Sequence, residues 1–153
     1  MHANPRSTVG GAFDSGNEEI HATRRNLSIF GNVGVQCGFS HHARGFQGRV
    51  DAAVRDDGRI LAIDAQLNAD LGGFQLHGSF LSPDIGAKRL TGPYDIPAVH
   101  LEMHSVLTNK PPMGPYRGAG QPETSIMMER LIDLIATELA LDPAEVRLRN
   151  LIR

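Results

Sequence analysis

The chain has 153 residues, 41% of them apolar but only 5% aromatic and none tryptophan, which is enough for the core of one domain. Its 15 basic and 17 acidic residues leave a net charge of −2, so nothing in the balance points to nucleic acid. No run of about 18 apolar residues occurs, the N-terminus lacks a signal-peptide pattern, and the single Cys37 allows no internal disulfide, so the expectation is a soluble cytoplasmic protein with no membrane partner.

Residues 1–47 are rich in Gly, Asn, Ser and His, and only Val33-Gly34-Val35 suggests a short strand there. From Gly48 the pattern sharpens. Two apolar segments flank Asp56-Asp57-Gly58, a strong hairpin signal, and predict an antiparallel pair over about 48–70. In the first arm Val50, Ala52 and Val54 alternate with Asp51, Ala53 and Arg55. In the second, Leu61, Ile63, Ala65 and Leu67 form an apolar face opposite Ile60, Ala62, Asp64 and Gln66.

Residues 74–96 carry Gly78, Pro83, Gly86, Gly92 and Pro93, which predicts an irregular segment with at most one helical turn. A stretch of that length without structure usually serves function or an interface. Alternation resumes over about 98–108, where Val99, Leu101, Met103 and Ser105 face away from His100, Glu102, His104 and Val106. That is a third strand.

A loop follows, PPMGPYRGAGQPE, and then a helix over about 122–141. There Met128, Leu131, Ile132, Ile135 and Leu139 recur at three- and four-residue spacing. Pro122 suits the first turn and Glu123 the positive end of the helix dipole. A second helix over about 143–152 opens with Asp142 as N-cap, Pro143 at the first position and Glu145 completing a capping box. Antiparallel strands followed by two helices make the class α+β.

Candidate chemistry is sparse. Consecutive N–H groups in a glycine-rich loop before a helix make an anion-binding concavity, and Arg117 could add a permanent positive charge. A glycine-rich turn with a solvated arginine accounts for the same residues. Dinucleotide and Walker-type loops are excluded, because no third glycine and no Lys-Ser/Thr pair follows Gly118-Ala119-Gly120. His41 and His42 are adjacent and diverge on any regular element. His100 and His104 share a strand face about 13 Å apart, too far for one ion, and read as surface residues. Cys37 has no assignable partner base, and Met127 and Met128 read as core. No catalytic residue and no metal ligand can be named.

Residues 90–152, LTGPYDIPAVHLEMHSVLTNKPPMGPYRGAGQPETSIMMERLIDLIATELALDPAEVRLRNLI, resemble the molybdenum-binding large subunit of the xanthine dehydrogenase, aldehyde oxidase and carbon monoxide dehydrogenase family. The upstream segment HHARGFQGRVDAAVRDDGRILAIDAQLNADLGGF resembles that family's hairpin, so the likeness runs over residues 41–152. It implies that residues 41–153 form a partial molybdopterin-binding domain, with 1–40 a poorly matching segment. It also implies oxidative hydroxylation of an activated carbon with oxygen from water. Electrons would pass from molybdenum, held by a molybdopterin that is often the cytosine dinucleotide, to [2Fe–2S] clusters and FAD on partner subunits or domains. Tyr116, Arg117, Gly118, Ala119, Gly120 and Gln121 would then contact the cofactor.

Several positions depart from the family. Gly118 stands where copper-dependent carbon monoxide dehydrogenases carry cysteine, so the resemblance implies no copper site. Ala119 replaces the substrate-stacking phenylalanine of xanthine and aldehyde oxidases, and Gln121 a frequent arginine. Gly10-Gly11-Ala12-Phe13 matches only the start of a GGGFGGK-type loop, and the family's catalytic glutamate would lie beyond Arg153. The expectation is a piece of a large subunit, oligomeric when intact, that needs the remainder of that subunit to act on a small molecule. The alternatives are an inactive remnant that binds a partner chain and, more weakly, a phosphate-binding module.

Overall fold

The computed structural model describes residues 45–153 together with the backbone of the short strand at 21–23. Val33–Val35, Gly10–Phe13, Cys37 and His41-His42 lie outside the described residues. In chain order the elements are β1 (His21–Thr23), β2 (Phe46–Val54), β3 (Ile60–Asp70), α1 (Leu81–Lys88), β4 (Ala98–Val106), α2 (Gln121–Leu139) and α3 (Pro143–Asn150). The strands form one sheet in the order β1-β2-β3-β4, and the helices cover one face of it.

The hairpin forms where its turn residues place it. Gly58 takes φ +86, its N–H donates to the Arg55 carbonyl at 2.8 Å, and the Asp57 side chain accepts from Arg59 N–H at 3.0 Å. Such Asx closure is why Asp-Asp-Gly ends one strand and starts another. A register shift at Ala53/Val54 alters one detail of the predicted faces. Ile60, read from alternation as outward, is fully buried, whereas Leu61 is only half-buried. One extra residue in a strand exchanges the faces locally, and alternation cannot show it. Beyond the bulge Ile63, Ala65, Leu67 and Ala69 are buried opposite Val50 and Ala52 of β2.

The antiparallel expectation holds for β2 and β3 but needs correction for the third strand. β4 pairs with β3 in parallel, with Ile63 opposite Val99, Ala65 opposite Leu101 and Leu67 opposite Met103. Parallel neighbours require a long crossover, and the segment read as irregular supplies it. It contains a helix of 8 residues, α1, rather than a single turn. Pro83 sits in the first turn of α1, where its missing N–H costs nothing. Gly86 is buried where a Cβ would lie 3.3 Å from both the Gly120 carbonyl and the Phe46 ring. Read as breakers, both residues belong to the helix. The α+β class stands.

Helix α2 packs on β2 and buries Met127, Met128, Leu131, Ile132, Ile135 and Ala136, the face its spacing predicts, in one core cluster with the inward side chains of β3. Each large apolar side chain among them stabilises the fold by about 1.5–3 kcal/mol through removal from water. Helix α3 starts as read: the Asp142 side chain accepts from Ala144 N–H at 2.6 Å. Asn150, at its end, is buried and joins distant parts of the chain. Its Oδ1 accepts from Ile60 N–H at 2.8 Å, and its Nδ2 donates to the Gly58 and Val146 carbonyls at 2.9 and 2.8 Å. Among the described residues, no helix is long and apolar enough to cross a membrane.

Candidate functional site

The loop between β4 and α2 is fixed at both ends. At its start Gly72, in a left-handed conformation, lies so close to the loop that a Cβ would fall 2.1 Å from the Pro111 carbonyl oxygen. Gly73 N–H donates to the Lys110 carbonyl at 2.8 Å, Thr108 N–H to Gly72 at 2.9 Å and Met113 N–H to Leu71 at 3.0 Å. The Asp70 carboxylate binds the same corner: Lys110 Nζ lies 2.6 Å away, Thr108 Oγ1 donates to it at 2.6 Å and Gly72 N–H at 2.8 Å. Burial alone would push the Asp70 carboxyl up, but the bonds from Lys110, Thr108 and Gly72 outweigh it, and its pKa lies below the usual carboxylate range.

One side chain of the crossover holds the middle of the loop. Ser79, 1% exposed, accepts from Leu76 N–H at 2.9 Å and donates to the Met113 carbonyl at 2.6 Å. Its sequence context, a single serine after glycine, gives no signal of this role; only the fold brings residues 79 and 113 together.

The YRGAGQ stretch then turns tightly into α2. Gly118, Ala119 and Gly120 take φ of +95, +39 and +89. Ala119 N–H donates to the Tyr116 carbonyl at 2.7 Å and Gln121 N–H to Gly118 at 3.0 Å. These bonds narrow the anion-binding expectation, since two of the N–H groups offered by the sequence are bonded inside the loop. The two glycines also have internal reasons for being glycine. A Cβ on Gly120 would fall 1.9 Å from the Ser82 carbonyl oxygen, and one on Gly118 would be 2.8 Å from the Pro122 ring. Thr124, fully buried, donates from Oγ1 to the Gly120 and Gln121 carbonyls at 3.2 and 3.3 Å.

The six residues singled out in the sequence are therefore contiguous but not equivalent. Tyr116 is 65% exposed, Arg117, Gly118 and Gln121 are also exposed, Ala119 is half-buried, and Gly120 is buried against α1. The loop presents an aromatic ring, a guanidinium and a glycine backbone on a frame set by Gly72, Ser79 and Gly120. His100 and His104 lie outside this frame, on the polar face of β4. His100 Nδ1 is 2.9 Å from Asp64 Oδ1, and His104 Nε2 is 3.5 Å from Glu102. The bond to Asp64 raises the pKa of His100.

Comparison with known proteins decides the lineage. Residues 21–151 match the family model described as a molybdopterin cofactor-binding domain. The chain belongs to that family. It is 36% identical over 111 residues to the 6-hydroxypseudooxynicotine dehydrogenase complex subunit gamma of Paenarthrobacter nicotinovorans, covering 72% of this chain and 14% of that one. It is 34% identical over 114 residues to the carbon monoxide dehydrogenase large chain of Hydrogenophaga pseudoflava, again 72% of this chain and 14% of the relative. Among solved structures, quinoline 2-oxidoreductase from Pseudomonas putida 86 matches with a TM-score of 0.69 at 34% identity, over 74% of this chain and 15% of that one. The chain thus spans about one seventh of the length of these molybdenum-family relatives, as its resemblance to the xanthine dehydrogenase, aldehyde oxidase and carbon monoxide dehydrogenase family implies.

Proposed function

We propose that residues 41–153 are a partial molybdopterin-binding domain of a molybdenum hydroxylase large subunit, and that residues 116–121 contact the cofactor. The observation that carries this reading is the exposed Arg117 beside Tyr116 on a loop fixed from both sides and running straight into α2. A permanently charged, planar guanidinium next to accessible glycine backbone suits an anionic, phosphate-bearing pterin. The residues present fit such a group. Arg117 and Tyr116 would hold it by side chain and Gly118 by backbone, Gln121 is exposed next to them, and Ala119 and Gly120 set the shape of the turn. When bound, the molybdenum group supplies two-electron oxidation of an activated carbon with oxygen taken from water.

Within that scheme Arg117 orients and neutralises, and Ser79, Gly72 and Gly120 keep its loop in place. No residue of this chain is offered as general base. The iron–sulfur and FAD groups, and the remainder of the large subunit, would come from partner segments; relatives named as a complex subunit and as a large chain support that arrangement. Alone, the chain neither retains the cofactor nor turns over substrate.

The test is pterin content in the assembly purified through a tag on this chain. Arg117→Ala should lower pterin per chain severalfold while thermal unfolding of the chain is unchanged. Full occupancy in that variant would remove Arg117 from the binding role.

A further inference from the structure

The sheet face turned away from the helices is polar, and the register sorts its side chains into rows across three strands. Asp51 of β2 lies opposite Asp64 of β3, which lies opposite His100 of β4. The next row is Arg49, Gln66 and Glu102, and the one after it Gln47, Asn68 and His104. The first row sets two carboxylates directly opposite each other in an antiparallel pair, which destabilises the pairing unless cations balance them.

The cations beside the two carboxylates differ in kind. Arg49 Nη2 lies 2.5 Å from Asp51 Oδ2 and is charged at every pH. His100 Nδ1 lies 2.9 Å from Asp64 Oδ1, and an imidazole is charged only when protonated. On β4 itself Glu102 lies 3.5 Å from His104 and accepts from Gln66 Nε2 at 3.2 Å. The bond to Asp64, with the charges of Asp64 and Glu102, holds the pKa of His100 above the ordinary 6.5. Such stability is complete below 6.5 and is lost as pH rises through the folded value. Strand β4 also leads to the candidate loop. The Val106 carbonyl accepts from Leu71 N–H at 2.8 Å and Thr108 N–H donates to Gly72 at 2.9 Å, so what holds β4 to β3 also holds that corner.

We propose that the row Asp51–Asp64–His100 is a proton-dependent latch that fastens β4 to β3. Protonated, His100 balances Asp64; neutral, it leaves two opposed carboxylates. The proposal is independent of the cofactor reading. Both latch side chains are exposed, so the effect is small and screened by salt. The test is the thermal midpoint of the chain at low salt from about pH 5 to about pH 9, a range that spans histidine titration and leaves lysine charged. Over that range the parent should lose about 1–3 °C more than His100→Gln, which lacks the cation throughout. The other histidines titrate alike in parent and variant, so the difference isolates His100. His100→Lys, charged throughout, should keep the midpoint that the parent has in acid, and about 1 M salt should erase both differences. Imidazole resonances should show His100 titrating above 6.5, and Asp64→Asn should lower that value. A His100→Gln or a His100→Lys chain that loses as much as the parent would overturn the proposal. So would a His100 titration that Asp64→Asn leaves unmoved.

Discussion

Gly120 approaches Ser82 so closely that a Cβ built on it would lie 1.9 Å from the Ser82 carbonyl oxygen. The residue that begins α2 is therefore also the residue on which α1 rests. Substitution Gly120→Ala combines a left-handed backbone with collision against main chain, and should cost about 3 kcal/mol. Gly92→Ala is the control: it too has positive φ, but nothing lies within 4 Å, so only about 1 kcal/mol is expected. Urea unfolding of the two variants separates packing from conformation.

Asn150 holds the hairpin turn to the last helix through buried bonds to Ile60, Gly58 and Val146. Asn150→Ala leaves a buried N–H and two carbonyls without that partner, and should destabilise the chain by about 2–3 kcal/mol. Asn150→Asp should not rescue it, because a carboxylate cannot donate to the two carbonyls. Thermal melting of both variants checks this.

Burial pushes the Tyr94 hydroxyl up to about 12, reinforced by its bond to Glu129 at 2.7 Å. A pKa raised by folding contributes stability that is complete below the ordinary value of 10.0 and is lost as pH rises from there through about 12. An alkaline titration of tyrosinate absorbance should show a step near 12 that Tyr94→Phe removes. A Tyr94→Phe chain with the same titration curve would refute the assignment.

The opposite sign applies at Asp70, whose pKa lies below the usual carboxylate range. Its contribution is present above that range and is lost as pH falls through it to the lower folded value. Asp70→Asn should loosen the loop corner at neutral pH, by about 1–3 kcal/mol for bonds to a charged group. Hydrogen exchange at Gly73 and Met113, whose N–H groups cross this corner, should quicken in the variant and, in the parent chain, at acidic pH.

Much of this fold was legible because each signal was local. Asp57 and Gly58 close their own turn, Asp142 caps its own helix, and the apolar stripe of α2 is a matter of spacing. What escaped reading depends on distant residues. The bulge that buries Ile60 is set by pairing with β2, and Gly86 is tolerated in α1 because Gly120 packs beside it. Strand β4 alternates cleanly in sequence, but alternation says nothing of direction, and its parallel pairing follows from the crossover. Strand β1 covers only 3 residues, too few to show a period.

The loop was legible as a place but not as a mechanism. Its glycines suggested close approach to a ligand, whereas Gly120 and Gly118 are first required by Ser82 and Pro122 of the chain itself. Exposed on the loop are Tyr116, Arg117, Gly118 and Gln121, the residues proposed to meet the cofactor. Ser79 and Asp70, which hold that group in place, carried no recognisable motif.

The most direct test of the cofactor assignment is the molybdenum and pterin content of the assembly that copurifies with this chain from molybdate-supplied cells. Metal analysis and fluorescence of the oxidised pterin should give about one molybdenum and one pterin per chain. An assembly with which iron–sulfur and FAD groups copurify, but which lacks both molybdenum and pterin, would contradict the account.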